Sequence, residues 1–393
     1  MKSSRHHFDL KGKNAEEFVH ELALKTFLTD WCFLNPVLPD GKELCDLLVV
    51  FDQCVIIWQV KDLKLGRHGK YRKSEVEKNL RQLSGARRHL FELKAPIALQ
   101  NPRRTIETFD PTRITEVFLI SVLLGEEEDY FPFIESVKEF TVHVFNKEFT
   151  RLVLTELDTI SDFMCYLRAK EALLGHCQFL FVEGGEEELL ASYLMNNRQF
   201  AWTEEANMLH LEEGFWNEFQ ASASYKFKKD QNRISYAWDG MIGRAHEGSN
   251  RYELVARELA RPTRFERRIL AKLFFQEHVA AHRDDTYDLR RSVSVMDGTT
   301  YCFLFCDENV PRQGRRDMLQ AICHVARGKF PQNSKVIGIA TEKKFKATCS
   351  YDFVLFKAPL WTREDQTQIK ELQKKLGIFE HPRIQQIEEK EYP

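Results

Sequence analysis

The sequence contains no apolar run that approaches the roughly 18 residues needed to cross a membrane. Its nine cysteines are odd in number and have no paired spacing, which indicates a reducing compartment and argues against a disulfide framework. Residues 1–14 lack the apolar stretch of a secretory signal. Internal repeats and low-complexity segments are also missing. We therefore expect a soluble, cytoplasmic protein without membrane contact.

The composition is that of an ordinary globular protein, with 43% hydrophobic and 30% charged residues. A length of 393 residues predicts two or three domains. The formal net charge of −2 conceals an uneven distribution. Residues 61–104 carry 13 Lys and Arg against four acidic residues, a local charge of +9, so the rest of the chain carries −11. Such a basic block predicts a polyanionic ligand.

A short segment at residues 41–61 is the most informative part of the sequence. Two apolar runs, residues 47–51 and 55–60, flank a polar break that begins at Asp52. Val, Ile, Phe and Trp dominate both runs, which is typical of strands rather than helices. The segment therefore predicts a β-hairpin.

Polar residues stand at the open end of this predicted hairpin. Asp46 opens the first strand, and Gln59, Val60 and Lys61 close the second. The Asp46 carboxylate, the Gln59 amide oxygen and the Val60 carbonyl are oxygen ligands suited to a hard cation such as Mg²⁺ or Mn²⁺. Lys61 falls on the same strand face as Gln59 and would orient or activate a water molecule. This arrangement predicts a metal and phosphate site.

A helix predicted at residues 14–29 contributes one further candidate. Glu16 lies at the edge of its apolar face, whereas Glu17 points nearly opposite. Glu16 would complete the acidic set, although a glutamate in a first helical turn is also explained by the helix dipole alone. The other predicted elements of this region are a strand at 31–38, a helix at 74–93, a strand at 117–124 and an edge strand at 140–145.

The spacing of Asp46 and Gln59-Val60-Lys61, with a Glu-bearing helix before it, resembles the PD-(D/E)xK nuclease superfamily. Gln59 replaces the glutamate of the motif. In this respect the chain is similar to the QxK branch of the superfamily, the Mrr-like and NERD-type proteins. The resemblance implies metal-dependent phosphodiester cleavage on a restriction-endonuclease-like αβ sandwich. Asp46, Gln59, Lys61 and Glu16 would then be catalytic, with Asp46, Gln59, Val60 and Glu16 holding the metal.

The resemblance covers about residues 10–125 and has one departure. Cys45 stands where a proline commonly precedes the aspartate. Gln82, on the helix that follows the QxK strand, matches a polar residue often found near the site in that superfamily. A fold of this kind with an inactive site is a further alternative.

Basic residues follow the hairpin and predict contact with nucleic-acid phosphates, although a solvated charged face is the ordinary alternative. Gly66 and Gly69 indicate a flexible loop there. The candidate nucleic-acid-binding residues are Lys64, Arg67, Lys70, Arg72, Lys73, Gln82, Arg87 and Arg88.

The remainder of the chain is predicted as a mostly helical middle region, residues 146–290, and a small α/β domain with a partly parallel sheet, residues 291–393. A polar stretch at residues 284–297 indicates the boundary between them. His278 and His282 have the i, i+4 spacing of zinc ligands, although surface histidines explain them equally simply. No nucleophile elbow is present.

These observations predict a Mg²⁺- or Mn²⁺-dependent deoxyribonuclease in residues 1–145; DNA is the expected substrate, and RNA is the alternative. Mrr-like and NERD-type modules tend to occur in bacterial defence proteins, which suggests a role in antiviral defence against foreign DNA. The alternative is a non-catalytic nucleic-acid-binding or assembly protein on the same α/β fold. Residues 146–393 would then serve oligomerisation or an accessory protein in either case.

Overall fold

The computed structural model describes residues 2–64, 71–125, 132–177, 179–200, 208–248, 252–346, 349–379 and 388–392, with side chains from residue 14 onward. The chain forms two compact units, residues 1–226 with 392 and residues 227–391 with 393. The boundaries predicted after residues 145 and 290 do not coincide with this division. None of the described helices is long and apolar enough to cross a membrane.

The first unit is built on a six-stranded mixed sheet with the strand order β1-β2-β3-β6-β8-β7. Strand β2 pairs antiparallel with both β1 and β3, whereas β3, β6 and β8 run parallel. The elements that form and cover this sheet are α1 (Lys2–Phe27), β1 (Cys32–Leu34), β2 (Leu47–Phe51), β3 (Cys54–Asp62), α2 (Lys73–Phe91), β4 (Ala98–Asn101), β5 (Arg104–Thr108), β6 (Glu116–Leu124), β7 (Ile134–Val137) and β8 (Phe140–Asn146).

The predicted hairpin forms as β2 and β3, which pair from Leu47 opposite Trp58 to Phe51 opposite Cys54. The edge strand predicted at residues 140–145 forms as β8, but it is not at the edge. Strand β7 pairs antiparallel on its outer side, so β8 has a neighbour on both sides. The alternation of β8 includes His143, which is not at a solvated face: it is fully buried, and its Nε2 lies 3.0 Å from Glu171 Oε1.

The two faces of the sheet have separate apolar cores. Alternate side chains of a strand point to opposite faces, so Val55 and Ile57 pack in one buried cluster with Leu83 of α2. Trp58 faces the other way and stacks on Phe163 of a later helix, with ring centroids 5.6 Å apart. Both cores hold β3 at the centre of the sheet, which leaves the end of β3 as a firmly placed platform.

The remaining elements of the first unit are mainly helical. Thr159 caps the second of these helices, where its side chain accepts a hydrogen bond from the Asp162 amide. Strands β9 and β10 form a two-stranded parallel sheet. The elements are α3 (Lys147–Glu156), α4 (Ile160–His176), β9 (Phe179–Val182), α5 (Glu186–Met195), β10 (Met208–Leu211), α6 (Phe215–Ala221) and the beginning of α7 (Ala223–Gln231).

The second unit contains a four-stranded sheet with the order β11-β12-β13-β14. Only the central pair, β12 and β13, is parallel, so the predicted partly parallel sheet is confirmed. The polar stretch at residues 284–297 is not a boundary, because β11 lies within it and pairs with β12 along its whole length. The elements are α8 (Ser235–Gly248), α9 (Glu253–Ala260), α10 (Arg264–Arg283), β11 (Leu289–Met296), β12 (Thr299–Cys306), α11 (Arg312–Lys329), β13 (Lys335–Glu342), β14 (Asp352–Lys357) and α12 (Arg363–Leu376).

Candidate functional site

The candidate site is built around Asp46, the residue directly before β2. Its amide donates a hydrogen bond to the Trp58 carbonyl at 3.2 Å, which extends the β2–β3 ladder by one step. This places the carboxylate beside the end of β3, where Oδ2 accepts hydrogen bonds from Gln59 Nε2 at 2.7 Å and from the Val60 amide at 2.5 Å. The structure therefore brings together three of the residues that were predicted to share a site.

The Asp46 carboxylate is in an unfavourable electrostatic position. Only 3% of the residue is exposed, and burial is the main cause that raises its pKa to about 7. The carboxylates of Glu16 and Glu43 raise the pKa further, whereas the hydrogen bonds from Val60 and Gln59 lower it only in part. A perturbed carboxylate of this kind is typical of a functional site.

Glu16 and Glu43 lie on the α1 side of Asp46. Glu16 is half-buried and lies 3.5 Å from Asn35 Nδ2, whereas Glu17 is exposed. Glu43 was not predicted from the sequence; the residue is exposed, but partial desolvation of its carboxylate and the Glu16 charge raise its pKa. Its position three residues before Asp46 was the available signal. The bridge between Val37 and Glu43 and the hydrogen bond from the Leu44 amide to the Pro36 carbonyl hold this part of the loop in place.

His20 is a further residue that the sequence did not indicate. Its Nε2 lies 2.9 Å from the Asp46 carbonyl oxygen. Burial lowers the pKa of the imidazole, and the neighbouring Glu16 charge only partly opposes this. His20 therefore anchors α1 to the backbone of the site residue.

Lys61, which was predicted to orient or activate a water molecule, pairs with an acidic residue of α2. It lies on the sheet face covered by α2, and its Nζ is 3.8 Å from Oε2 of Glu75. The two side chains are 29% and 26% exposed. The ammonium group is thus near the surface, held between the end of β3 and the first turn of α2.

Asn79 of α2 faces the sheet, whereas Gln82 does not. Gln82 is exposed, whereas Asn79 is fully buried and accepts a hydrogen bond from Ser121 Oγ at 2.7 Å. Ser121 is the register partner of Gln59. Asn79 belongs to the same helical stripe as the buried Leu83, and this stripe was the sequence signal that identifies it.

The basic residues nearest to β3 are only partly described. Lys64 is exposed directly after the strand, and Arg72 and Lys73 are exposed at the beginning of α2. Arg67 and Lys70 lie outside the described residues. The three described residues leave cationic groups at the end of the sheet that carries Lys61.

The two basic residues predicted on α2 differ from each other. Arg88 is exposed. Arg87 packs against the protein, since its guanidinium carbon lies 3.6 Å from the centre of the Phe140 ring and its Nη1 is 3.9 Å from Glu92. Arg87 therefore stabilises the contact between α2 and β8, and its charge is less free to meet a phosphate.

The donor chemistry at Asp46 fits a hard cation, since carboxylate and amide oxygens are its preferred ligands. A cation would also relieve the repulsion among Asp46, Glu16 and Glu43. Within the described residues, however, no group of three or more His, Cys, Asp or Glu side chains is arranged to hold a metal ion. The protein would therefore supply at most two carboxylates, and amide or carbonyl oxygens, water or substrate would complete the coordination, as is usual for Mg²⁺.

The histidine pair of α10 is not arranged as a metal site. His278 is buried, and its Nε2 lies 2.9 Å from the Glu342 carbonyl oxygen. His282 accepts a hydrogen bond from the Phe345 amide through Nδ1 at 3.3 Å. Both imidazoles thus contact the backbone that follows β13, and their spacing serves packing.

Comparisons of the chain with protein-family models, with curated proteins and with solved structures find no match. Function therefore follows from the chemistry of the site.

Proposed function

We propose that this protein is a nuclease that cleaves phosphodiester bonds of DNA with Mg²⁺ or Mn²⁺. The observation that carries the proposal is the buried Asp46 carboxylate, whose pKa is raised to about 7 and which is joined to Gln59 and Val60. Lys61 follows two residues later on the face that carries Gln59. A buried acid joined to an amide, with a lysine two residues further along the same strand face, suits metal-assisted hydrolysis of a phosphate diester.

The topology of residues 1–145 supports this proposal. A helix is followed by three antiparallel strands, a crossover helix and a strand parallel to the third. This is the element order that the resemblance to the PD-(D/E)xK superfamily implies. We infer a restriction-endonuclease-like sandwich as the finer description of this α/β region.

Each residue then has a defined task. Asp46 and Glu16 would hold the cation together with the Gln59 amide oxygen and the Val60 carbonyl. When bound, the metal supplies Lewis acidity and lowers the pKa of a coordinated water. Lys61 places a positive charge where the phosphate gains negative charge in the transition state.

The basic residues at the same end of the sheet would fix the substrate. Lys64, Arg72 and Lys73 are exposed there, and cations of this kind contact the phosphate backbone without reading the bases. Binding should therefore weaken steeply as the salt concentration rises. The same phosphate chemistry applies to RNA, so RNA is a second substrate to be tested.

A non-catalytic nucleic-acid-binding or assembly protein is the second candidate function. One observation favours it: within the described part of the chain, no group of three or more His, Cys, Asp or Glu side chains is arranged to hold a metal ion. Such a protein would keep the basic surface and have no metal affinity that depends on Asp46.

The test is cleavage of supercoiled DNA, linear DNA and RNA with Mg²⁺ or Mn²⁺. We expect activity in the wild type and a loss of at least about a hundredfold in Asp46→Ala and Lys61→Ala. Asp40→Ala is the matched control, because Asp40 is exposed and pairs with Lys42 instead. Equal activity in all four proteins, or none in any, would refute the nuclease proposal.

Calorimetric titration with Mn²⁺ separates the two candidates when cleavage is undetectable. A nuclease site binds the ion in the wild type and not in Asp46→Ala. Nucleic-acid binding without any Mn²⁺ heat indicates the non-catalytic protein.

We further propose a role in bacterial defence against foreign DNA, acting in the cytoplasm. Residues 146–393 would then recognise a partner, either a second copy or an accessory protein. Phage plating on cells that express the wild type or Asp46→Ala tests this role. Equal plaque numbers for the two would argue against it.

A further inference from the structure

Helix α2 lies against the sheet face that carries the polar end of β3. Leu83 of α2 packs with Val55 and Ile57 in one buried cluster. Every second side chain of a strand shares a face, so Gln59 and Lys61 continue the row that begins with these two residues. The first turn of α2 therefore meets β3 where Lys61 lies.

Two polar residues of α2 face this row. Glu75 contacts Lys61 at 3.8 Å, and both side chains are about three-quarters buried, with exposures of 26% and 29%. One turn later, buried Asn79 accepts the hydrogen bond from Ser121, the register partner of Gln59. Residues four apart on a helix share one side. Glu75 and Asn79 of α2 thus lie along the side of β3 that carries Gln59 and Lys61.

We propose that Glu75 is a positioning residue, whose carboxylate holds the Lys61 ammonium where a phosphate oxygen of the substrate would bind. The proposal rests on the proposed function, since that function assigns Lys61 to the phosphate. A lysine ammonium is a strongly hydrated charge on a flexible stem of four carbons. A fixed partner keeps it near one position, and groups held in place before reaction lower the activation barrier.

A simpler role for Glu75 is the one that any acidic residue has in a first helical turn, where it interacts favourably with the helix dipole. Glu77 distinguishes the two roles. It lies on the same helix, two residues later, but it is half exposed and pairs with Arg81 at 4.0 Å. Glu75→Gln and Glu77→Gln each remove one charge near the same helix end, and only the first removes a charge beside Lys61.

Labelling of lysines with an amine-reactive ester, followed by peptide mapping in a mass spectrometer, tests the positioning without any need for activity. We expect Lys61 to react about threefold faster in Glu75→Gln than in the wild type, because the loss of a weak ion pair frees it. Glu77→Gln should label as the wild type does. Equal labelling of Lys61 in all three proteins overturns the proposal.

Steady-state cleavage of DNA then tests the consequence. In Glu75→Gln we expect kcat to fall about tenfold, as for other residues that orient a site residue, with KM changed by less than about twofold. Glu75→Asp should recover part of kcat, and Glu77→Gln should match the wild type. An equal loss in both glutamine variants indicates a helix effect and overturns the proposal.

The proposed function and the positioning role can fail separately. Wild-type protein that cleaves no nucleic acid with either metal refutes the nuclease, and the labelling result then decides only whether Glu75 holds the Lys61 ammonium in place. Faster labelling of Lys61 only in Glu75→Gln sustains it, and unchanged labelling overturns it.

Discussion

Replacement of Asp46 by asparagine should stabilise the first unit at neutral and alkaline pH. The variant keeps the shape of the side chain and an oxygen that can accept the hydrogen bonds from Gln59 and Val60. It removes a charge that is buried close to Glu16 and Glu43. The stability of the wild type should therefore contain a penalty that the variant lacks.

The size of this penalty follows from the pKa of Asp46, which is raised from 3.8 to about 7. The folded protein binds the proton more tightly than the unfolded chain does, so the contribution of this group is fully present below about pH 4. It is lost as the pH rises through 7. At about 1.4 kcal/mol for each pH unit between the two values, the loss is at most about 4 kcal/mol.

Hydrogen exchange of β3 amides in urea measures the stability of this unit without interference from the second. We expect Asp46→Asn and the wild type to be nearly equal at pH 4.5, and the variant to be more stable by about 2–3 kcal/mol at pH 8, after about 1 kcal/mol is subtracted for altered hydrogen bonds. Mg²⁺ or Mn²⁺ should reduce the difference in the free energy of unfolding between the two proteins at pH 8, because the ion stabilises only the wild type.

Asp40→Asn is the control, since Asp40 is exposed and its pKa is lowered mainly by the hydrogen bond with Lys42. It should not gain stability at pH 8. If Asp46→Asn is equally or less stable than the wild type at pH 8, the carboxylate is not under electrostatic strain, and the reasoning that identifies it as a functional residue is refuted.

Three further predictions concern buried residues, two of them in the first unit and one in the second. Trp58→Ala should lose about 3–5 kcal/mol in urea unfolding, because Trp58 is fully buried and stacks on Phe163. Lys170→Met should lose about 3–5 kcal/mol, since Glu186 then remains as a buried charge without its partner at 2.5 Å; the double variant with Glu186→Leu should recover most of it. Gly338→Ala would place a Cβ 2.6 Å from a sulfur of α11, and should cost about 1–3 kcal/mol, measured by hydrogen exchange in β13.

Two of these predictions have clear contrary outcomes. A Lys170→Met variant as stable as the wild type would mean that Glu186 is already protonated in the folded protein. A Gly338→Ala variant without loss of stability would mean that the helix over β13 moves freely enough to admit a methyl group.

The local pattern of the sequence determined the centre of the candidate site. The hairpin of β2 and β3 follows from two short apolar runs around a polar break, and its register depends on residues close together in the chain. An antiparallel pair necessarily places the residue before one strand beside the end of the other. For that reason the meeting of Asp46, Gln59 and Val60 could be predicted from sequence alone.

Residues that act through helix orientation could not be predicted in the same way. The choice of Asn79 over Gln82 and the pairing of Glu75 with Lys61 depend on the rotation of α2 about its axis. That rotation is set by how Leu83 and its neighbours pack into the sheet. A helix stripe is visible in a sequence, but the partner of each of its polar residues is not.

The edges of the sheet and the division of the chain were likewise decided by tertiary structure. Strand β7 pairs with β8 and covers its outer side, and α4 packs Phe163 against Trp58 from more than a hundred residues away. Alternation along a strand reports which faces are buried and not what lies beyond its edge. The local sequence pattern thus determined the strands β2 and β3 and the position of Asp46 beside them. The long-range packing of helices decided the electrostatic surroundings of Asp46 and the partner of Lys61.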